Sequence, residues 1–228
     1  MAATLIARAI RARPEAVIGL ATGSTPTRCY GELVRLHREE GLSFAGVRTF
    51  NLDEYLGLPG DHAQGYRRFM QEQLFERIDI RPWNTHVLDG MARDTGAECA
   101  AFEHRIAAVG GVDLWLLGIG ANGHIAFNEP GSAADSRTRV VDLSAETIAA
   151  NSDGRFFKDP AEVPRQALTA GIATIRAARR IVLLATGAGK RAALRTAVEG
   201  PSTESCPASL LQGHPDCLFL ADREAWGA

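Results

Sequence analysis

Val112-Asp-Leu-Trp-Leu-Leu117 runs straight into Gly118-Ile-Gly-Ala-Asn-Gly-His-Ile-Ala-Phe-Asn-Glu-Pro130, and this junction decides how the chain folds. The apolar run is short and sharply bounded by glycine, which predicts a buried strand. Three glycines then permit a tight turn, and Asn122, His124, Asn128 and Glu129 follow within eight positions. A strand that ends in glycines and then in convergent polar groups marks a site at the carboxyl edge of an α/β sheet.

Similar junctions recur along the chain. Val17–Leu20 predicts a strand ending in Ala21-Thr-Gly-Ser-Thr-Pro26, with a helix over 25–40. A strand over 47–51 ends beside Asp53 and Glu54, and a strand over 181–186 ends in Gly187-Ala-Gly-Lys190. Helices are predicted over 66–75, 97–109, 165–178 and 190–199, and further strands over 139–143 and Cys217–Ala221. Such alternation predicts an α/β protein with a mostly parallel sheet covered by helices on both faces. The four strand ends then share one edge and meet across one crevice. With no repeat, low-complexity tract or linker, a single domain over 1–228 is expected.

The bulk numbers narrow the classes. At 228 residues, 46% hydrophobic and 23% charged, the chain is long enough for one well-buried core and has the balance of a soluble protein. A net charge of -2 and a pI near 6.3 give no basic field for nucleic acid or an anionic membrane. No apolar run reaches the roughly 18 residues of a membrane span. The N-terminal MAATLIARAIRARPEA is amphipathic but lacks an uncharged apolar core and a cleavage site, so a mature helix is expected. Cys29, Cys99, Cys206 and Cys217 form no C-x-x-C pair and suggest reduced thiols in a cytoplasmic protein.

Each polar cluster has a functional and a plain structural explanation. Thr22, Gly23, Ser24 and Thr25 precede a helix, where hydroxyls, backbone N–H groups and the helix dipole favour a phosphate; Thr25 could equally be a simple N-cap. Lys190 opens a helix after two glycines, which suits a phosphate or a solvated lysine. An ATP-type loop is excluded, because Leu184 and Arg191 occupy its glycine and hydroxyl positions. Gly118, Gly120 and Gly123 match a dinucleotide fingerprint, yet Pro130 and Gly131 come too soon for its crossover helix. Asp53 is placed as a general base or belongs to a solvated acidic turn. His124 and Glu129 lie outside metal-binding spacing, so a proton-relay pair is preferred over a metal site, against a merely structural histidine.

Together these segments resemble the glucosamine-6-phosphate deaminase (isomerising) family. The matching stretches are GLATGSTP at 19–26, TFNLDEYLGL at 49–58, LGIGANGHIAFNEPGS at 117–132, SRTR at 136–139, RFF at 155–157, GKRAALRTAVEG at 189–200 and SLLQGHPD at 209–216. The resemblance implies a three-layer α/β/α sandwich with a Rossmann-like sheet, and conversion of glucosamine 6-phosphate to fructose 6-phosphate and ammonia without metal or cofactor. It implies Asp53 as the base at C2, and His124 with Glu129 and Asn122 for ring opening. Thr22, Gly23, Ser24, Thr25, Arg155 and Lys190 would hold the phosphate. Two extra residues, Asp153-Gly154, precede Arg155. Family members carry a first strand before the position of Ala3, so either that edge strand is absent or the start is internal. Ser132 and Arg139 match an effector site of the hexameric members while Ala133 and Val141 do not, so an allosteric hexamer is not expected; a monomer or plain homo-oligomer is. Galactosamine-6-phosphate deaminase, 6-phosphogluconolactonase and a non-catalytic sugar-phosphate-binding regulatory domain are the alternatives.

Overall fold

A computed structural model describes residues 1–152 and 157–227. Its strands are β1 (Val17–Leu20), β2 (Arg48–Asn51), β3 (Asp53–Tyr55), β4 (Thr85–His86), β5 (Leu114–Gly118), β6 (Arg139–Asp142), β7 (Gln166–Thr169), β8 (Arg180–Ala185) and β9 (Cys217–Ala221). The α-helices are α1 (Ala2–Ala12), α2 (Thr27–Glu40), α3 (Tyr66–Gln73), α4 (Thr95–Ala108), α5 (Ala145–Asn151), α6 (Ile172–Arg176), α7 (Arg191–Glu199) and α8 (Arg223–Trp226).

The central strands are apolar at successive positions because both their faces are covered. Leu114 and Leu116 of β5, with Ile18 and Leu20 of β1, pack against α1, α2 and α3. Trp115 and Leu117, with Ile181 and Leu183 of β8, pack on the other face against α4, α6 and α7. This is the period-two alternation of a strand buried twice, and it gives the three expected layers. Trp115 fits because residue 19 on the neighbouring strand is glycine: a Cβ there would stand 1.6 Å from the indole Cε3. Gly19→Ala is therefore expected to destabilise the fold by about 2 kcal/mol through overpacking, measurable by urea unfolding.

Six strands pair in parallel in the order β4-β2-β1-β5-β8-β9. The chain fills the sheet outward from β1 in one direction and then from β5 in the other. Between β1 and β5 the loops therefore diverge to opposite faces and leave a crevice at the carboxyl ends. The sandwich and its parallel sheet match what the strand–helix alternation predicts.

Two local expectations need correction. Residues 165–178 are not one helix: β7 is a strand, and only α6 is helical. Between β3 and β6, β7 forms a second, antiparallel sheet in the order β3-β7-β6, which buries Ala167 and Leu168. Tertiary pairing overrides the helical preference of that alanine-rich stretch. Nor is Asp53 in a solvated turn, since it begins β3 opposite Thr169, whose other neighbour is Arg139. No helix among the described residues is long and apolar enough to cross a membrane.

Candidate active site

The turn after β5 is built around an imidazole. The Gly120 amide donates to the His124 carbonyl at 2.9 Å, closing the loop so that the His124 ring lies over the Gly120 Cα. A Cβ at residue 120 would sit 2.2 Å from ring Cε1. Past the histidine, Ile125 and Asn128 bridge a tight turn with Ala126 in the left-handed region at φ 51°. That conformation costs a non-glycine residue about 1–2 kcal/mol. Asn128 holds it in place, since its amide donates to the Ile125 and Ala170 carbonyls.

This turn brings Glu129 back against the histidine. One carboxylate oxygen, Oε2, accepts from Asn122 Nδ2 at 2.8 Å and faces His124 Nδ1 at 3.6 Å, an electrostatic contact just beyond hydrogen-bond length. The other oxygen, Oε1, accepts from the Ser144 hydroxyl at 3.2 Å and from the Thr147 hydroxyl. Burial alone raises the Glu129 carboxyl, but His124, Thr147 and Asn122 outweigh it and hold it at about 2. Glu129 is thus an anion at neutral pH. A proton on Nδ1, on the side of that anion, would leave Nε2 of His124 as the acceptor.

Asp53 is tuned the opposite way. It is only 6% exposed and forms no hydrogen bond among the described residues; burial, with the charge of Glu54, pushes its carboxyl well above the usual range. Glu54 has a separate, structural task. Its carboxylate accepts the backbone N–H groups of Tyr66 and Arg67 at 3.0 and 2.9 Å, closing the start of α3, and that of Tyr55 at 2.9 Å. Two adjacent acids thus have distinct environments.

The loop after β1 is held from below. Tyr30, fully buried, donates its hydroxyl to the Ala21 carbonyl, and Thr27 donates to the Gly23 carbonyl at 3.2 Å. The helix begins at Thr27, two residues later than the sequence suggests, and no side chain caps it. Thr25 therefore is not an N-cap, and the first N–H groups of α2 face the loop without a side-chain acceptor. Lys190 ends a 3₁₀ turn, Ala188–Lys190, just ahead of α7 and one strand beyond β5 on the same edge. Arg155 lies outside the described residues. Among the described residues no group of three or more His, Cys, Asp and Glu side chains is gathered to hold a metal. All four cysteines are free thiols.

Residues 1–219 match the family profile described as glucosamine-6-phosphate isomerases/6-phosphogluconolactonase. The chain belongs to this family. Within the isomerase/lactonase family it is 57% identical over 221 residues to glucosamine-6-phosphate deaminase 1 of Giardia intestinalis, covering 96% of this chain and 82% of that protein. A solved monomeric glucosamine-6-phosphate deaminase superposes with a TM-score of 0.96 at 46% identity, over 99% of this chain and 93% of the other. The lactonase side of the family is more distant. A 6-phosphogluconolactonase from Trypanosoma cruzi gives a TM-score of 0.75 at 26% identity, over 98% of this chain and 90% of that one.

Several contacting residues escape notice in the sequence. Ser144 and Thr147 carried a readable signal, since a serine opening a helical stretch marks an N-cap. Arg139 had none. It donates to Asn128 Oδ1 at 2.9 Å and to the Ser132 hydroxyl at 3.2 Å, and only the antiparallel register brings β6 there.

Proposed function

We propose that this chain is a cytoplasmic glucosamine-6-phosphate deaminase, one sugar-phosphate deaminase/isomerase domain that converts glucosamine 6-phosphate and water to fructose 6-phosphate and ammonia. One arrangement carries this assignment: two proton-handling groups with opposite tuning, the His124–Glu129 pair after β5 and the buried Asp53 at the start of β3, just past β2. Carboxyl groups whose environments push them apart mark an acid/base division of labour.

His124, with Glu129 behind it, moves a proton between O1 and O5 and opens the pyranose. Asn122 orients both partners. Asp53 then removes the C2 proton of the open-chain aldehyde and returns it at C1 through an enolamine. Its raised proton affinity suits a base that must also give the proton back. The resulting imine at C2 takes up water and releases ammonia and the ketose. No residue of this scheme calls for a metal or organic cofactor, and the partner is a small amino-sugar phosphate, not nucleic acid or membrane.

The phosphate is assigned to Thr22, Gly23, Ser24 and Thr25, at the uncapped start of α2, with Lys190 and Arg155 supplying charge. Binding the phosphate there, away from the reacting carbons, supplies the energy that orients C2 toward Asp53. The high identity to named deaminases over nearly the whole chain supports this assignment over a lactonase. The test is an assay for ammonia coupled to fructose 6-phosphate detection, with galactosamine 6-phosphate and 6-phosphogluconolactone in parallel. Turnover of glucosamine 6-phosphate to both products is expected. Hydrolysis of the lactone alone would overturn the assignment.

A further inference from the structure

Glu129 can partner His124 only if its carboxylate stays ionised and does not swing, and the loop that carries it fixes only one oxygen. The other oxygen is held from elsewhere in the fold. Ser144 and Thr147, at the start of α5, both aim their hydroxyls at Oε1. Ser144 also has an ordinary structural duty, since its hydroxyl accepts the Thr147 amide at 3.1 Å as the helix N-cap. The Thr147 hydroxyl has no such duty. It is buried, and its partner is Glu129.

The far end of α5 reaches the other half of the site. Asn151 Nδ2 donates to the Tyr55 hydroxyl at 2.8 Å, and Tyr55 ends the strand that Asp53 begins. One short helix therefore touches both the relay loop and the base-bearing strand. We infer that Thr147, supported by Ser144, is a positioning residue for ring opening, fixing the Glu129 carboxylate so that Oε2 stays turned toward His124. This rests on the assignment above of Glu129 as the partner of His124.

Hydroxyl donors on a half-buried carboxylate favour its charged form. Of the titratable groups around it, His124 from the same loop acts on Glu129. From α5 come hydroxyls, and Arg139 of β6 ends on Asn128 and Ser132. Losing the Thr147 hydroxyl thus weakens one donor to the anion without removing a charge.

The experiment is steady-state kinetics with glucosamine 6-phosphate on the wild type, Thr147→Val and Thr147→Ser across the acid range. Valine keeps the shape and removes the donor, whereas serine keeps the donor. In Thr147→Val, kcat is expected to fall about tenfold with KM within about twofold, the pattern of a lost transition-state interaction. The fall should be by the same factor across the acid range, because Glu129, held at about 2, stays ionised there and the geometry of the pair is what changes. Thr147→Ser should restore most of kcat. If valine prevents folding, Ser144→Gly, which leaves a residue tolerated at a helix start, should give a smaller fall in kcat with KM again nearly unchanged. An active wild type whose Thr147→Val variant keeps kcat overturns this inference alone. So does a serine variant as impaired as the valine one. A wild type without deaminase activity overturns the functional assignment instead.

Discussion

Asp53→Asn is expected to lower kcat for ammonia release by about 10³- to 10⁴-fold while leaving KM within a few-fold. Asparagine has nearly the same shape and cannot take a proton from C2. Asp53 is not among the residues assigned to the phosphate, so binding is largely preserved. The same substitution should act on stability in the opposite sense. Because burial raises the folded carboxyl well above its ordinary value, the acid is tolerated in its neutral form. That contribution is complete below the unfolded value of about 3.9 and is lost as pH climbs toward the raised folded value. The asparagine variant does not titrate, so its melting temperature relative to wild type should rise with pH across that window. Thermal melts of both proteins at several pH values, beside the coupled assay, test the two halves together. An Asp53→Asn enzyme with full turnover would remove Asp53 from the base role. A stability difference that does not change with pH would contradict the raised proton affinity of the buried carboxyl.

Much of this was legible in the sequence because it depends on local patterns. Apolar runs such as Leu114–Gly118, short and bounded by glycine, reveal the strand and the turn that follows it. What stayed hidden depends on register. Arg139 reaches Asn128, and Asp53 lies opposite Thr169, only because β3, β7 and β6 pair in one antiparallel arrangement. Residues 165–178 show how weak the local signal is there. Gln166–Thr169 lacks the β-branched density that would mark a strand, and its two neighbours, not its own composition, make it one. The division between Asp53 and Glu54 was equally invisible, because adjacent acids differ only in what folds against them. α3 brings two backbone N–H groups to Glu54 and none to Asp53.

The glycine pattern that looks like a dinucleotide loop can be tested at one atom. Gly120→Ala is expected to lower kcat by about 10²-fold with little loss of stability. The added methyl would stand 2.2, 2.3 and 2.4 Å from Cε1, Nδ1 and Nε2 of His124, well inside van der Waals contact. The backbone cannot give way easily, since the Gly120 amide is bonded to the His124 carbonyl in the same turn. Nor is the conformation itself at fault: Gly120, unlike Gly123 at φ 87°, lies outside the left-handed region, so alanine fits its dihedral angles. The strain therefore falls on the imidazole, which must shift by roughly 1 Å to reach an ordinary contact. A displacement of that size in a catalytic group costs about a hundredfold in rate. It also disturbs the His124–Glu129 contact, which at 3.6 Å depends on where the ring sits. Kinetics and thermal melts on the purified variant distinguish the outcomes. A near-normal melt with a hundredfold lower kcat means that the glycine is there to seat the imidazole. Unchanged kcat would show that the imidazole is not held against residue 120 during turnover, and that the loop tolerates a side chain where the fold shows none.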